Sequence, residues 1–310
     1  MKAFEIEVNG RRFDYRVGSE LNLKKIQLFL KRKYKVRDLS QKGRHVLGIV
    51  ELDGKELFLK LATTEGISYL IKAEYEWNEQ FNRENQRQAS NYWVPQNYDF
   101  GLYENKLFYF VTDIFDGLLL AKRPEKSTVK PVIERLPAII EFSELIQDLN
   151  IEIPGRENNS QEFFRTKALV WFQAIPEKVR KKYRIDNLLD IIERSYQKLG
   201  EKTRHGDFTP WHLLVLGKGK LGLIDGEHAM GSGVEYYDIA YFIQRIFCVL
   251  ENPDLAKNTA SVLIDRKYDP QKLKTVLAAR GLGGFLDESL KEKPNYEISS
   301  KFKDFVFSIN

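Results

Sequence analysis

The sequence predicts an α+β protein of two lobes, a small β-rich lobe followed by a larger helical lobe. Segments of alternating hydrophobicity, joined by glycine-containing turns, dominate residues 1–113. Helical hydrophobic patterns dominate residues 114–310. A length of 310 residues is also long for a single compact unit. We therefore expect an N-terminal lobe of residues 1–113 and a C-terminal lobe of residues 114–310.

The N-terminal lobe is expected to be a small antiparallel sheet with inserted helices. Asn9-Gly10 and Asp53-Gly54 are dipeptides typical of tight hairpin turns. The alternating patterns predict strands over residues 4–8, 12–17, 45–52, 55–62, 98–103 and 106–112, with a further strand and a loop from Arg37–Gly43. Helical spacing predicts helices over residues 21–34 and 67–85, with Ser19 capping the first.

The C-terminal lobe is expected to be mostly helical. Helical patterns cover residues 129–149, 161–172, 177–199 and 235–250, and weaker ones extend to the C-terminus. The only clear strand patterns of this lobe, 213–216 and 220–224, flank a Gly-Lys-Gly turn and predict one embedded hairpin.

Composition narrows the classes of function. The chain is 43% hydrophobic, yet no apolar run approaches the length of a membrane span, and the N-terminus has no apolar signal core. We therefore expect a soluble, cytoplasmic protein without stable membrane insertion. Its single cysteine, Cys248, lies in an apolar run, which excludes an intramolecular disulfide and a cysteine-rich metal site.

The charge of the chain is mildly basic, with a net value of +5. Basic clusters span Lys31–Arg37 and Lys178–Arg184, but both lie in or beside helical patterns, where such runs are more often the solvated face. No nucleic-acid recognition motif or zinc-ligand spacing accompanies them. We therefore expect no nucleic-acid partner.

Two aspartates lie at the edges of the predicted hairpin. Asp207 precedes its first strand and Asp225 follows its second, so antiparallel pairing is expected to bring both to one mouth. One carboxylate can accept the proton of a hydroxyl, and the other can hold Mg²⁺ together with substrate phosphates. Phosphoryl transfer needs this pair, together with a lysine on the β-lobe and a helix glutamate that holds it.

The lysine and the glutamate are both available. Lys60 breaks the apolar side of the strand "ELFLKLA", where a charge is costly unless it meets an anion. Glu74 lies on the apolar stripe of the helix predicted over residues 67–85. We predict that the two form an ion pair, with Glu76 as the alternative partner.

Three motifs, in order, resemble a known family. "HGDFTPWHLLV", "LGLIDGEHA" and "YYDIAYFIQRI" are similar to the catalytic loop, the metal-binding segment and the following helix of aminoglycoside phosphotransferase and choline kinase-like small-molecule kinases, which share the protein-kinase-like fold. The resemblance implies ATP-dependent transfer of the γ-phosphoryl group to a hydroxyl of a small metabolite, with Mg²⁺ as the metal. It also implies that the β-rich lobe binds the nucleotide.

Residue roles follow from this resemblance. Asp207 is expected to be the catalytic base or hydroxyl-orienting group, and Asp225 the main Mg²⁺ ligand. Lys60 is expected to bind the α- and β-phosphates, and Glu74 to hold Lys60.

The resemblance also assigns supporting roles. The segment Thr112–Phe115, which contains Ile114, is expected to offer backbone groups to the adenine. His205 would anchor the catalytic loop, and Asp238 would brace it.

One residue departs from the family pattern. His212 stands five residues after Asp207, where the family usually has a metal-binding asparagine. Imidazole suits Mg²⁺ less well than an amide oxygen. His212 is therefore a candidate for metal binding, for donation to phosphate, or for holding Asp207 in place. A histidine here also resembles bacterial lipopolysaccharide-core sugar kinases.

Other features separate the chain from protein kinases. It has no G-x-G-x-x-G loop, offering "SQKGRHVLG" instead, and no A-P-E segment after Asp225, so a protein substrate is disfavoured. In this loop Lys42 and Arg44 are expected to be solvated. Glu227 and His228, next to Asp225, are expected to have packed or surface roles.

Two function classes remain open. The first is a kinase whose acceptor is a sugar or amino alcohol, and the second is a catalytically retired pseudokinase that binds nucleotide or a partner, which His212 alone favours. Residues 251–310 contain nine acidic and ten basic residues, a near-balance that argues against a polycationic aminoglycoside acceptor.

Overall fold

The chain folds into two compact units. A computed structural model describes residues 3–88, 90–122, 129–154 and 159–309. One unit, here the N-terminal unit, is formed by Phe4–Gly117 and Leu216–Ala229. The other, the C-terminal unit, is formed by Met1–Ala3, Leu118–Val215 and Met230–Asn310. The predicted two-lobed α+β class is confirmed, and the lobe boundaries at residues 113 and 114 stay a prediction.

The N-terminal unit is organised around a five-stranded antiparallel sheet. Its strands, in the spatial order β3-β4-β5-β8-β7, are β3 (Lys35–Lys42), β4 (His45–Leu52), β5 (Lys55–Ala62), β7 (Asn97–Tyr103) and β8 (Leu107–Thr112). The turn between β4 and β5 places Asp53 and Gly54 at φ values of 51° and 80°, as expected for an Asp-Gly hairpin turn. The alternation of buried residues along β4 is the pattern from which this strand was predicted.

Smaller elements complete this unit. Helices α1 (Leu23–Leu30) and α2 (Glu65–Gln88) pack on the sheet, and β1 (Glu5–Val8) forms a hairpin with β2 (Arg11–Asp14). The short strand β6 (Tyr92–Trp93) pairs in parallel with β12 (Leu221–Leu223), which comes from much later in the chain. This late strand carries the segment that contains Asp225 into the unit.

The C-terminal unit is mainly helical. Its helices are α3 (Lys130–Asp148), α4 (Ser160–Ala174), α5 (Glu177–Tyr183), α6 (Asp186–Ser195), α7 (Tyr237–Cys248), α8 (Pro253–Asp265), α9 (Pro270–Ser289) and α10 (Glu297–Ser308). Two pairs of short antiparallel strands accompany them, β9 (Leu118–Leu119) with β11 (Leu213–Val215), and β10 (Glu201–Arg204) with β13 (Met230–Val234). Among the described residues, no helix combines the length and apolar character needed to cross a membrane.

Three sequence predictions of elements were wrong. The first helix begins at Leu23 and is capped by Asn22, whose side chain accepts a hydrogen bond from the Lys25 backbone, so Ser19 is not the cap. The helix predicted over residues 177–199 is broken because Arg184 adopts a left-handed conformation at φ 50°. The strand pair β10 and β13 was not predicted, since both strands are short and β13 contains two glycines.

Candidate functional site

A buried cluster of charges surrounds Lys60 in the N-terminal unit. Lys60 lies on β5, between β4 and β8, and only 5% of it is exposed. Its Nζ lies 2.6 Å from Glu74 Oε2, 2.7 Å from Asp225 Oδ1 and 2.6 Å from Glu227 Oε1. These four residues are called the Lys60 cluster below. The predicted pairing of Lys60 with Glu74, rather than with Glu76, is confirmed.

Electrostatics within the Lys60 cluster are strongly coupled. Although burial favours the neutral amine, the charges of Asp225, Glu227 and Glu74 raise the pKa of Lys60. Burial raises the pKa of Glu74 to about 7, since its attraction to Lys60 is opposed by the other two carboxylates. The cluster therefore keeps Lys60 cationic and disfavours the ionised form of Glu74.

Glu227 joins the cluster to the turn between β3 and β4. Its carboxylate is buried and accepts a hydrogen bond from Arg44, and His45 Nε2 lies 2.8 Å from Glu227 Oε1. Although burial opposes ionisation, Lys60, His45 and Arg44 hold the pKa of Glu227 well below its ordinary value. Glu227 is packed, as one of its two expected roles has it, whereas Arg44 was expected to be solvated and instead pairs with Glu227. The available signal was a second acid, two residues after Asp225, in the stretch "LGLIDGEHAM".

The backbone around Asp225 is shaped by close packing. Asp225 adopts a left-handed conformation with φ 67°, which aspartate tolerates better than most residues. A Cβ atom at Gly226 would lie 2.6 Å from Cδ1 of Trp77, so only glycine allows the chain to pass this side chain of α2. The turn after β12 is therefore pressed against α2, which directs Asp225 toward Lys60.

The three carboxylates of the Lys60 cluster already contact Lys60, and only that of Asp225 is also open to a hard cation from solvent. Glu74, Asp225 and Glu227 each offer an oxygen, and these oxygens lie within 4.8 Å of one another. The Asp225 side chain is 30% exposed, whereas those of Glu74 and Glu227 are 9% and 1% exposed. Asp225 is thus the carboxylate of the three that an ion from solvent can reach, which fits Mg²⁺.

The segment predicted to contact adenine contains two kinds of position. Thr112 ends β8, is paired with strands on both sides, and donates from Oγ1 to the Gln96 carbonyl at 2.8 Å. Ile114 follows the strand and is 45% exposed. The structure therefore leaves Ile114, rather than Thr112, in an accessible position. Contact of either residue with a nucleotide stays a prediction.

The loop that carries Asp207 lies in the C-terminal unit and is held by hydrogen bonds to Asp238. The Asp238 carboxylate accepts hydrogen bonds from the backbone N–H groups of His205 at 2.7 Å and Gly206 at 2.8 Å. Phe208, fully buried, packs with its ring centroid 5.9 Å from that of Phe142. The predicted bracing role of Asp238 is confirmed, and these contacts fix both sides of Asp207.

His212 contacts Asp207 directly. Its Nδ1 lies 3.0 Å from the backbone carbonyl oxygen of Asp207 and 3.5 Å from Oδ2 of the same residue. A carbonyl oxygen can only accept, so Nδ1 carries the proton and donates, which leaves Nε2 as the nitrogen able to act as a ligand when the ring is neutral. The contacts favour the hypothesis that His212 holds Asp207. Its metal and phosphate roles, and the meeting of Asp207 with Asp225 at one hairpin mouth, stay predictions.

Comparison with solved structures identifies the fold. A thermostable mutant of aminoglycoside phosphotransferase APH(4)-Ia, in ternary complex with ADP and hygromycin B, is similar to this chain with a TM-score of 0.65 and 14% identity, over 91% of this chain and 96% of the other. Choline kinase LicA from Streptococcus pneumoniae has a TM-score of 0.54 and 15% identity, over 92% and 97% of the two chains. A microcompartment-associated aminopropanol kinase has a TM-score of 0.59 and 14% identity, over 92% and 94%.

These similarities confirm the resemblance drawn from the three motifs at the level of fold. The chain has the two-lobed fold of small-molecule kinases, and the similarity spans nearly its whole length. Neither a protein-family model nor a curated protein sequence matches the chain. The comparisons therefore describe the fold of the chain, and its chemistry depends on its own residues.

Proposed function

We propose that the protein is a small-molecule kinase that transfers the γ-phosphoryl group of ATP to a hydroxyl of a small metabolite. The observation that carries the proposal is the Lys60 cluster, in which a buried lysine is held by a helix glutamate and by Asp225. A fold shared with kinases makes a phosphate-binding role the simplest use of such a lysine.

The proposed roles divide between the two units. In the N-terminal unit Lys60 would bind phosphate oxygens, Glu74 would hold Lys60, Asp225 would hold Mg²⁺, and the backbone near Ile114 would meet the adenine. Bound Mg²⁺ would neutralise phosphate charge during the transfer. Residues 1–113, completed by the segment of Asp225, thus form the nucleotide-binding lobe of the proposal.

In the C-terminal unit, Asp207 would orient the acceptor hydroxyl and accept its proton. His212 would fix Asp207 through the Nδ1 hydrogen bond to its carbonyl oxygen. To accept the proton, the Asp207 carboxylate must be ionised and held close to the acceptor hydroxyl. The hydrogen bonds from His205 and Gly206 to Asp238 hold the loop, and with it Asp207, in one position.

Substitution of the two aspartates tests the proposal. We expect Asp207→Asn to bind Mg·ATP nearly normally but to lower turnover by about two to four decades, the usual effect of losing a general base. We expect Asp225→Asn to lose Mg²⁺-dependent binding of a non-hydrolysable ATP analogue, measured by calorimetry with and without Mg²⁺. Asp304→Asn, an exposed residue on α10, is the matched control and should change neither quantity.

Loss of nucleotide affinity alone in both variants would show that the division of roles is wrong. Failure of the wild-type protein to bind the analogue with or without Mg²⁺ would contradict the kinase proposal itself. The second candidate, a pseudokinase that binds nucleotide or a partner, would instead be supported by Mg·ATP binding without transfer to any acceptor.

His212 is the residue that favours this second candidate, and in an active kinase its substitution tests what the imidazole does. If it only holds Asp207, His212→Asn should keep most of the turnover, since an amide can also donate to the Asp207 carbonyl. A collapse of turnover in this variant would show that the chemistry needs an imidazole.

A further inference from the structure

Two arginines, one buried and one half-buried, lie among aromatic rings in the C-terminal unit. Arg204 ends β10, Arg280 lies on α9, and the rings of Trp171, Tyr237 and Tyr241 surround them. We call these five residues the arginine–tyrosine cluster. The Arg280 guanidinium carbon lies 3.6 Å from the Tyr241 ring centroid and 5.2 Å from that of Trp171. The Arg204 guanidinium lies 3.9 Å from the Tyr237 centroid.

The charge of Arg280 is not balanced by a carboxylate. Arg280 is only 5% exposed. Among the described residues, its one hydrogen bond runs from Nη1 to the Tyr237 hydroxyl at 3.0 Å, no carboxylate forms an ion pair with it, and Nε has no partner. A guanidinium has five N–H donors, so most of its hydrogen-bonding capacity is unused within the part of the chain that the structure describes.

Arg204 shows the same deficit. Within the described ranges it too has no ion pair, and its buried Nε has no hydrogen-bond partner. Its charge is felt by the neighbouring Lys167, whose pKa is lowered to about 8 by burial and by Arg204. Arg204 and Lys167 therefore lie close enough for their positive charges to repel each other.

Arg245, on the neighbouring helix α7, provides the contrast. Its Nη1 lies 2.9 Å from Asp287 Oδ2. The same part of the fold thus satisfies one arginine with a carboxylate and leaves two without one. Stacking on aromatic rings offsets only part of the cost of burying a guanidinium, because such contacts are weaker than the lost hydration of the charge.

The packing beside Arg280 leaves space for one methyl group at Gly283. Gly283 lies in the interior of α9, where glycine is unfavourable relative to alanine. A Cβ atom there would lie 3.5 Å from the Trp171 ring and 3.6 Å from Arg280 Nη2, an ordinary contact distance, so packing does not require glycine. Trp171 and Arg204 are half-buried, which opens this side of the cluster to solvent.

The cluster lies near Asp207 within the same unit. Arg204 immediately precedes the His205-Gly206-Asp207 loop. The pKa of the Tyr241 hydroxyl is raised to about 12, mainly by burial and also by the negative charge of Asp207, which therefore lies close to this ring. Tyr241 is also the ring on which Arg280 stacks. A molecule bound at the cluster would therefore extend toward the residue that is proposed to act on the acceptor hydroxyl.

We propose that the arginine–tyrosine cluster binds an anionic group of the acceptor, a carboxylate or a phosphate, and that Arg280 and Arg204 are its ligands. The proposal rests on the proposed kinase function, because it names the acceptor of that reaction as a hydroxyl compound with negative charge. Guanidinium groups match the oxygens of both anions in a two-pronged geometry. A polycationic aminoglycoside would be repelled by the same charges.

Four related sugars test this proposal. Glucose, glucosamine, glucuronate and glucose 6-phosphate differ mainly in one charged group, and their binding can be followed by calorimetry and by tryptophan fluorescence. We expect the two anionic sugars to bind about 10- to 100-fold more tightly than the neutral and cationic ones, the usual effect of hydrogen bonds to a charged group. Comparison of glucuronate with glucose 6-phosphate then shows whether the site prefers a carboxylate or a phosphate.

Variants assign the binding to the cluster. Arg280→Gln should lower the affinity for the preferred anionic sugar about 10- to 100-fold, and Arg280→Lys should lose less, since it keeps the charge but not the planar fork. Arg266→Gln is the matched control, because Arg266 already forms an ion pair with Glu144. Gly283→Leu, which fills the space beside the guanidinium, should weaken binding while it leaves both arginines in place.

The outcomes are distinct. Equal binding of all four sugars, binding of none, or anion binding unchanged by Arg280→Gln, Arg204→Gln and Gly283→Leu would overturn the anion site. Should the buried Arg280 variants not fold, as judged by circular dichroism, the half-buried Arg204→Gln and Gly283→Leu decide the question. Anion binding that depends on Arg280, in a protein that transfers phosphate to no sugar, would support the site and contradict the kinase proposal.

Discussion

Lys60 and Arg280 are two buried cations with opposite surroundings. Each is only 5% exposed. Lys60 meets three carboxylate oxygens within 2.7 Å, whereas Arg280 meets aromatic rings and one tyrosine hydroxyl among the described residues. Since the cost of burying a charge must be offset by partners, the protein supplies the partners of Lys60 itself and leaves those of Arg280 to a ligand.

The difference bears on how each site responds to substitution. Removal of Lys60 leaves carboxylates close together with less positive charge, so the folded state becomes less stable. Removal of the Arg280 charge takes away an unbalanced cation, so folding is affected less than binding. A comparison of variants in the two clusters therefore separates a site completed within the protein from one that is incomplete without its ligand.

The largest effect is expected for Lys60→Met. The change leaves Glu74, Asp225 and Glu227 in mutual repulsion, and loss of one partner of a buried ion pair typically costs about 3–5 kcal/mol in the free energy of unfolding. Urea unfolding of the variant measures this cost. Lys130→Met, at an exposed pair with Glu134, is the control and should differ from wild type by less than about 0.5 kcal/mol. A stability of Lys60→Met equal to that of the control would contradict the interpretation of the cluster.

Asp238 extends the comparison to a buried anion that has backbone donors as its closest partners. Burial raises its pKa from 3.8 to about 6, although the N–H groups of His205 and Gly206 and the charge of Arg204 lower it. Because the folded protein then binds more protons than the unfolded chain between these values, the stabilisation from Asp238 is fully present below pH 3.8 and lost as the pH rises through about 6.

The Asp238→Asn variant lacks this titration. Relative to the variant, we expect the wild-type free energy of unfolding to fall by about 2–3 kcal/mol between acidic and neutral pH. Melting temperatures of both proteins across this range provide the measurement. Parallel pH profiles for the two proteins would show that Asp238 titrates alike in the folded and unfolded states.

A smaller effect is expected for Arg44→Gln. Glu227 keeps its contacts with Lys60 and His45 after this change, so one of its three side-chain contacts is lost and we expect a cost of about 1–2 kcal/mol in the free energy of unfolding. Arg37→Gln removes an arginine from the exposed Glu51 pair and is the control, with an expected cost below about 1 kcal/mol. Equal costs for the two variants would place Glu227 among ordinary surface partners.

Local patterns carried much of the fold prediction. The bounds of β4 and β5 were predicted correctly because alternating hydrophobicity and an Asp-Gly turn are properties of neighbouring residues. The break at Arg184 was missed because no glycine or proline marks it, and arginine adopts a left-handed backbone there only under the constraint of its surroundings. Sequence patterns therefore describe strands and turns better than the interruption of a helix.

Site residues could be predicted where a charged residue interrupts the apolar face of a strand or helix. Lys60 and Glu74 did so, and their pairing was predicted. The contact of Arg44 with Glu227 joins residues 183 positions apart, and no local pattern connects them. The arginine–tyrosine cluster was missed for the same reason, since a count of charges over residues 251–310 does not show which arginines lack a carboxylate.

Completion of the N-terminal unit by Leu216–Ala229 has a consequence for biosynthesis. Lys60 leaves the ribosome 165 residues before Asp225, which at usual rates of translation corresponds to roughly 10–30 s. During this interval the nascent chain can supply only Glu74 as a partner for the lysine. The N-terminal unit is therefore complete only after about three quarters of the chain has been synthesised, and a fragment that ends near residue 117 would lack strand β12 and two of the three carboxylates that surround Lys60.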